Sequence, residues 1–391
     1  MVRVSLQGGH TPSDTIVFIL GAGASAPFNL PVMAGFMNRA RRNFQRLEPG
    51  CEMQRFHEWM FSFWKRCRDA SWAFIRHWDN IEELYTQADL LRLMDLPPGD
   101  DCDEGETSEN LCKAISWCIW DVYRQFQGIP RWVEIANQVH EAGMKSVFIT
   151  TNYDLCVESS FAQKRGQWSY VYPGFTNPIE NSFMRELDGG DVMPAKFGSL
   201  EVPIVKLHGS VNWFRDTAGT FVAVNQVAAP TKEGRPTGFP MEHEEAKSLV
   251  MQHAGRTWEY LSPAIIPPML GKSSSSPVIQ ANWRAAVEAI GSARSVYVIG
   301  YSFPATDAFM LRLLTEGMAR NRDFEKLMII DRSTRESWDD RITTMFEPMF
   351  QRQDMSFISM NAKHAISIMC GYAQHDWQNE LHKQSERLGL S

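Results

Sequence analysis

No CxxC pair occurs anywhere in the 391 residues, which removes the usual signature of a structural zinc ribbon. The seven cysteines, Cys51, Cys67, Cys102, Cys112, Cys118, Cys156 and Cys370, are odd in number and irregularly spaced. That pattern argues for reduced thiols in a cytoplasmic protein rather than a disulfide framework. An excess of positive charge is missing as well. A net charge of −7, with 39 basic residues, gives no general drive towards nucleic acid or anionic lipid. The basic run Arg39, Arg41, Arg42 and Arg46 reads as the solvated face of a helix. No apolar stretch approaches the ~20 residues needed to span a bilayer. Met1 to Gln7 lacks the charged and apolar regions of a secretory signal, so a cytoplasmic location is expected. There is no internal repeat.

What is present is ordinary globular composition, 44% hydrophobic and 22% charged, in a chain long enough to bury a large core. Short apolar, β-branched runs recur at Thr15 to Leu20, Ser146 to Thr150, Pro203 to Leu207, Ser295 to Ile299 and Leu327 to Ile330. Such runs suit strands buried on both faces, and the helical pattern Trp283 to Ile290 precedes one of them. The fold class expected is α/β, a Rossmann-like, doubly wound and mainly parallel sheet. Between the first and second runs, residues 36–140 change to helical periodicity. Three stripes stand out: Phe56, Trp59, Met60, Phe63, Trp64; Ile81, Leu84, Tyr85, Ala88, Leu91; and Leu111, Ile115, Cys118, Ile119, Val122, Phe126. Because one strand precedes this region and the others follow it, we read it as a helical insertion into a single domain of residues 1–391. Pro97 to Glu109 reads as a mobile acidic loop, and 216–262 as a polar loop or hairpin excursion.

Ligands of open α/β sheets sit beyond the carboxyl ends of the strands, so the polar residues there are the candidates. After the first strand come Gly21, Ala22, Gly23, Ala24 and Ser25. Glycine lets a backbone approach a pyrophosphate, and the N–H groups opening the next helix point at its charge. A dehydrogenase fingerprint calls for a third glycine three residues after Gly23 and an acid further downstream; Ala26 and a basic segment stand there instead. The second strand ends in Thr150, Thr151, Asn152, Tyr153 and Asp154. Asn152 offers a donor and an acceptor in one rigid amide, and Asp154 has helix capping as its plain alternative. The third ends in His208, Gly209 and Ser210, where a histidine is a natural general base. The fourth ends in Gly300, Tyr301 and Ser302, followed by Asp307, and the fifth in Asp331. Gly271, Lys272 and Ser273 mimic the end of a P-loop, but Ile266 occupies the position of its first glycine.

In this order GAGAS, TTNYD, KLHGS, GYSFPATD and Asp331 resemble the sirtuin-like domains of bacterial antiphage defence, over about residues 15 to 331. Pro267, Pro268 and Lys272 match that group's usual loop. The resemblance implies NAD as substrate. Gly21, Ala22, Gly23 and Ser25 would embrace its phosphates, Asn152, Asp154 and His208 would sit at the nicotinamide ribose, and Gly300, Ser302 and Asp331 would hold the adenosine side. Where deacylase sirtuins continue as GIPDFR, this chain has Asn29, Leu30, Pro31, Val32, Met33 and Ala34. With the cysteine pairs also missing, no zinc is expected.

The expected activity is an NAD glycohydrolase, with Asn152 and His208 catalytic, acting in antiphage defence by NAD depletion. Two other readings stay open. One is an NAD-dependent deacylase or ADP-ribosyltransferase; the other is a non-catalytic module sensing NAD or ADP-ribose. The resemblance further implies a homo-oligomer, gated by a hexameric HerA-type DNA-translocating ATPase or by a short Argonaute-type protein. No direct nucleic-acid binding is expected.

Overall fold

The chain's apolar runs become the inner strands of one sheet. The computed structural model describes residues 14–70, 80–99, 105–162, 167–175, 192–193, 200–215, 221–224, 227–228, 237–239, 242–254, 261–266, 276–303, 307–332 and 355–387. In chain order, β1 (Thr15–Leu20) leads into a single turn of helix, α1 (Ala22–Ser25). Helices α2 (Phe36–Phe44), α3 (Glu52–Ala70), α4 (Ile81–Leu93) and α5 (Ser108–Tyr123) follow, then β2 (Gln125–Phe126) and α6 (Trp132–Glu141). Next come β3 (Lys145–Thr150), α7 (Cys156–Ala162), β4 (Trp168–Val171), β5 (Val192–Met193), β6 (Leu200–Lys206) and β7 (Gly209–Arg215). Short strands β8 (Phe221–Ala223), β9 (Val227–Ala228) and β10 (Thr237–Gly238) precede α8 (His243–Ala254) and β11 (Ser262–Ile265). The last part holds α9 (Pro277–Gly291), β12 (Ala293–Ile299), α10 (Ala308–Arg320), β13 (Lys326–Asp331), β14 (Met355–Ser359), α11 (Ala362–Gly371) and α12 (Trp377–Arg387).

Among the described residues the main sheet has seven strands in the order β14, β13, β12, β1, β3, β6, β4. Each neighbouring pair is parallel, as the buried, β-branched runs require. The chain builds outward from β1 through β3 and β6, then returns to the other side of β1 with β12, β13 and β14. β1 is therefore the switch point, where neighbouring crossovers leave in opposite directions, the place where open α/β sheets take their ligands.

Register fixes where the polar clusters meet. Leu20 lies opposite both Thr150 and Ile299, Thr150 opposite Lys206, and Ile299 opposite Ile330. The residues that follow, Gly21, Thr151, Leu207, Gly300 and Asp331, thus fall in one row along the sheet's carboxyl edge. Alternation sends β1 side chains to two separate cores. Ile16, Phe18 and Leu20 pack with residues of α2 to α6 and α11, whereas Val17 and Ile19 pack with residues of α9 and α10. Phe18 stacks on Phe148 at 5.0 Å and Tyr297 at 5.6 Å, locking the three central strands together on the first face.

The helical stripes form α3, α4 and α5, and their apolar positions face inward. Asn80 caps α4 and Thr107 caps α5 through their side chains. Phe126 leaves the third stripe and lies in β2. The acidic loop ends by residue 107, and the buried Glu106 pairs with Arg66. Within 216–262, read from sequence as loop or hairpin, the chain forms α8 and short strands β8 to β10. Strand β7 is a further departure from the sequence reading. It starts directly after His208 and pairs antiparallel with β8 and β11. No helix among the described residues is long and apolar enough to cross a membrane.

Candidate active site

The glycine turn and the end of β12 interlock. Gly21 donates its N–H to the Ile299 carbonyl at 3.0 Å, and Gly23 donates to the Gly300 carbonyl at 2.8 Å. A Cβ on Gly21 would lie 2.5 Å from the Gly300 oxygen, and one on Gly300 would lie 2.3 Å from the Ala24 nitrogen. Gly300 also has φ +64°, the left-handed region. The glycines are thus required first by turn-on-turn packing, before any ligand is considered. The helix that follows is one turn long, and Asn29 closes its 3₁₀ extension with φ 60°. This chain therefore offers the orphan N–H groups of a helix start with little of a long helix's macrodipole. Ala22 is exposed, Gly23 half-buried and Ser25 buried.

β3 delivers Asn152 onto that turn. Thr150 Oγ1 donates to the Leu20 carbonyl at 3.1 Å and accepts the Asn152 N–H at 3.0 Å. The Asn152 amide Nδ2 then donates to the Gly21 carbonyl at 2.8 Å and to Ser25 Oγ at 2.9 Å. Both amide hydrogens are used inside the protein. Sequence reasoning credits Asn152 with a donor and an acceptor for a ligand; what remains, among the described residues, is the acceptor Oδ1 on a half-buried side chain. Asp154 is buried, and its Oδ1 accepts the Cys156 N–H at 2.9 Å at the start of α7. That is the capping role named as its alternative. The neighbouring Cys156 thiol is pushed well above the usual range, chiefly by burial and then by the Asp154 charge, so it is no thiolate nucleophile near neutral pH.

His208 fills the tight turn between β6 and β7 and is 2% exposed. Its carbonyl accepts from the Ile266 N–H at 2.9 Å, and its ring lies 6.1 Å from that of Trp283, edge to face. Gly209, at φ +82°, must be glycine, since a Cβ there would stand 1.7 Å from the Ala264 oxygen. Trp283 Nε1 donates to the Leu207 carbonyl at 3.1 Å, and Leu207 N–H donates to the Thr150 carbonyl at 3.0 Å. The turn carrying His208 is in this way tied to the strand carrying Asn152.

Further along the row, Gly300 donates to the Ile330 carbonyl at 2.8 Å, and the half-exposed Asp331 ends β13. Ser302 is exposed. Asp307 caps α10, accepting from Met310 N–H at 3.1 Å and from the Tyr301 hydroxyl at 2.5 Å. Pro267, Pro268, Lys272 and the Gly271 to Ser273 mimic lie outside the described residues.

Direct hydrogen bonds thus join Gly21, Ser25 and Asn152, and Gly23 with Gly300. His208 and Asp331 share their edge of the sheet, at strands two places from β1 on opposite sides. Sequence reasoning passes over three residues that hold this arrangement: Lys206, Asn282 and Trp283. One signal is available, since a lysine inside the apolar run PIVKL is rarely buried without a partner.

Among the described residues one group could offer three metal ligands: Glu52, His243 and Glu244. It lies between α3 and α8, and Lys247 Nζ already sits 2.5 Å from Glu52 Oε2, placing an ammonium where a cation would bind.

No family model matches the chain, and no curated protein matches it. Among solved structures it is similar to Sir2 bound to the inhibitor EX-527, 2′-O-acetyl-ADP-ribose and a deacetylated p53 peptide, at 14% identity over 97% of this chain and 96% of that one, TM-score 0.36. A point mutant of a Sir2 homologue in complex with ADP-ribose matches at 14% identity over 94% of both chains, TM-score 0.40. A Sir2–p53 peptide–NAD⁺ structure matches at 12% identity over 91% of both, TM-score 0.36.

Proposed function

We propose that the crevice at the carboxyl end of β1 binds NAD and hydrolyses its nicotinamide–ribose bond, releasing nicotinamide and ADP-ribose. The observation that carries this reading is the Asn152 amide. Both its hydrogens are held by the glycine turn, which leaves Oδ1 as a fixed acceptor at the switch point of a doubly wound sheet. A ribose hydroxyl or a water is the group such an acceptor suits.

The chemistry asks little more. Nicotinamide on NAD is cationic and leaves as a neutral molecule, so a strong general acid is unnecessary. The site must stabilise an oxocarbenium-like ribose and present water on the opposite face, the logic of glycoside hydrolysis. In this reading Asn152 Oδ1 orients the water or the ribose, and His208 accepts a proton from one of them. Gly21, Ala22, Gly23 and Ser25 lie against the phosphates, while Asp154 supports the site by holding the start of α7. Gly300, Ser302 and Asp331 lie on the adenosine side.

Unrestrained NAD hydrolysis would deplete a cell, so the activity is gated in this reading, in keeping with the resemblance to two-component antiphage systems. A homo-oligomer acting with a hexameric ATPase is the arrangement that resemblance favours. The test is direct: purified protein, alone and co-expressed with its genomic neighbour, is incubated with NAD and nicotinamide is measured. Release that Asn152→Ala and His208→Ala abolish supports the reading. Equal release by both variants sinks it.

A further inference from the structure

We infer that Lys206 and Glu158 form a buried charged strut that positions Asn152, and that they are positioning residues for the reaction proposed above, on which this inference rests. Lys206 is the last residue of β6, two before His208, and is 1% exposed. Its ammonium has three hydrogens and three acceptors: the Asp154 carbonyl, the Asn152 carbonyl at 3.4 Å and Glu158 Oε1 at 3.1 Å. Two of the three belong to the loop that carries Asn152.

The strut continues in both directions. Glu158, fully buried on α7, also accepts the Tyr172 hydroxyl through Oε1 at 2.8 Å. Asn212 Nδ2 donates to that hydroxyl at 3.1 Å and to the Val224 carbonyl at 3.1 Å. On the other side, the Lys206 N–H donates to Asn282 Oδ1 at 3.0 Å, and Asn282 Nδ2 donates to the carbonyls of Pro173, at 2.8 Å, and Val278, at 2.9 Å. A continuous path therefore runs from α9 through Asn282 and Lys206 to the Asn152 loop, and through the Asn152 amide to Gly21 and Ser25.

Ion pairing by itself does not explain this pair. Two buried charges are costly to desolvate, and well-packed apolar side chains of similar volume often replace such pairs with no loss of stability. An apolar side chain cannot grip two carbonyls of a neighbouring loop. The Glu158 carboxyl is pushed up by burial, with Lys206 opposing, so removing Lys206 alone leaves an uncompensated acid in the interior. The decisive variant is therefore Lys206→Met combined with Glu158→Gln, which removes both charges together.

Expected for the double variant is a folded, cooperatively melting protein whose melting temperature falls by several degrees, because the Asn152 and Asp154 carbonyls lose their lysine donor. Its amides over 152–156 should exchange hydrogen faster. Its kcat should fall on the order of 10²-fold, the scale of a 1 Å misplacement, with KM changed less than about threefold. Glu158→Gln alone, which keeps the lysine, should lie between. Unchanged exchange over 152–156 in the double variant overturns the inference, and so does faster exchange with a wild-type kcat. Should the wild type release no nicotinamide, the NAD-hydrolysis reading fails separately, and the exchange measurement still decides whether the strut holds the loop.

Discussion

Replacing Gly300 by alanine tests the interlocked turns at a point where nothing can yield cheaply. The added Cβ would face the Ala24 nitrogen at 2.3 Å and the Gly23 carbonyl carbon at 2.5 Å, both backbone atoms that no rotamer change can move. A left-handed φ of +64° adds roughly 1–2 kcal/mol for a residue with a Cβ. Overpacking a well-filled site costs about 1–3 kcal/mol more. The total, on the order of 2–5 kcal/mol, converts to a drop in Tm of roughly 4–10 °C at about 2 °C per kcal/mol for a large domain. Relief of the clash must push the glycine turn away from β12, and Asn152 is bonded to that turn through Gly21 and Ser25. In the proposed reading NAD affinity should therefore fall together with stability. Differential scanning fluorimetry and calorimetric titration with NAD read the two effects. Gly371→Ala is the control: it ends α11, meets nothing within 4 Å, and should leave Tm unchanged or slightly raised. A Gly300→Ala protein that melts and binds like the wild type would refute the interlocking.

Other outcomes follow from the same contacts. Asn152→Asp keeps an acceptor but removes both hydrogens that anchor it, and should lose about 10²–10³-fold in nicotinamide release, the scale of a mispositioned polar catalytic group. Trp283→Phe keeps a ring beside His208 but loses the bond to the Leu207 carbonyl, which should cost about 1 kcal/mol of stability and lower kcat more than it raises KM. His243 is held below its ordinary value of 6.5 mainly by burial, against the Glu52 charge. A depressed folded-state value means the unfolded chain binds the proton first, so this contribution is present above 6.5 and is lost as pH falls towards the folded value. Tm measured against pH should show that loss in the wild type, and His243→Gln should flatten it. Cys156 should stay unlabelled by iodoacetamide in the native protein at about pH 8 and react once the chain is unfolded, as its raised thiol and burial require.

The central strands can be read from sequence because each is buried on both faces and therefore apolar along its whole length, as TIVFIL and SVFIT are. Helices α3, α4 and α5 can be read because their apolar residues recur at helical spacing. The strands that escape such a reading have other reasons for being strands. Among the described residues β4 and β14 lie at the two edges of the sheet, each with one neighbouring strand, and their sequence signal is weaker. β7 carries Asn212 and a tryptophan within a short run, and it starts at a glycine whose role is set by Ala264 across the pair.

By itself the sequence determined the chemical types at the strand ends: glycines after β1, an asparagine after β3, a histidine after β6, an acid ending β13. Those identities follow from local order along the chain. Register and strand order, which only the tertiary structure decides, put these ends in one row with β1 at the switch point. Contacts over long sequence separations then assigned their duties. They gave Asn152's hydrogens to Gly21 and Ser25, and Lys206 to the Asn152 loop, whereas the bond from Asp154 to the start of α7 is local, two residues along the chain. Hydrogen bonds spanning more than a hundred residues, as those from Asn152 do, leave no periodic trace in a single chain. Each depends on two strands meeting that the sequence keeps apart.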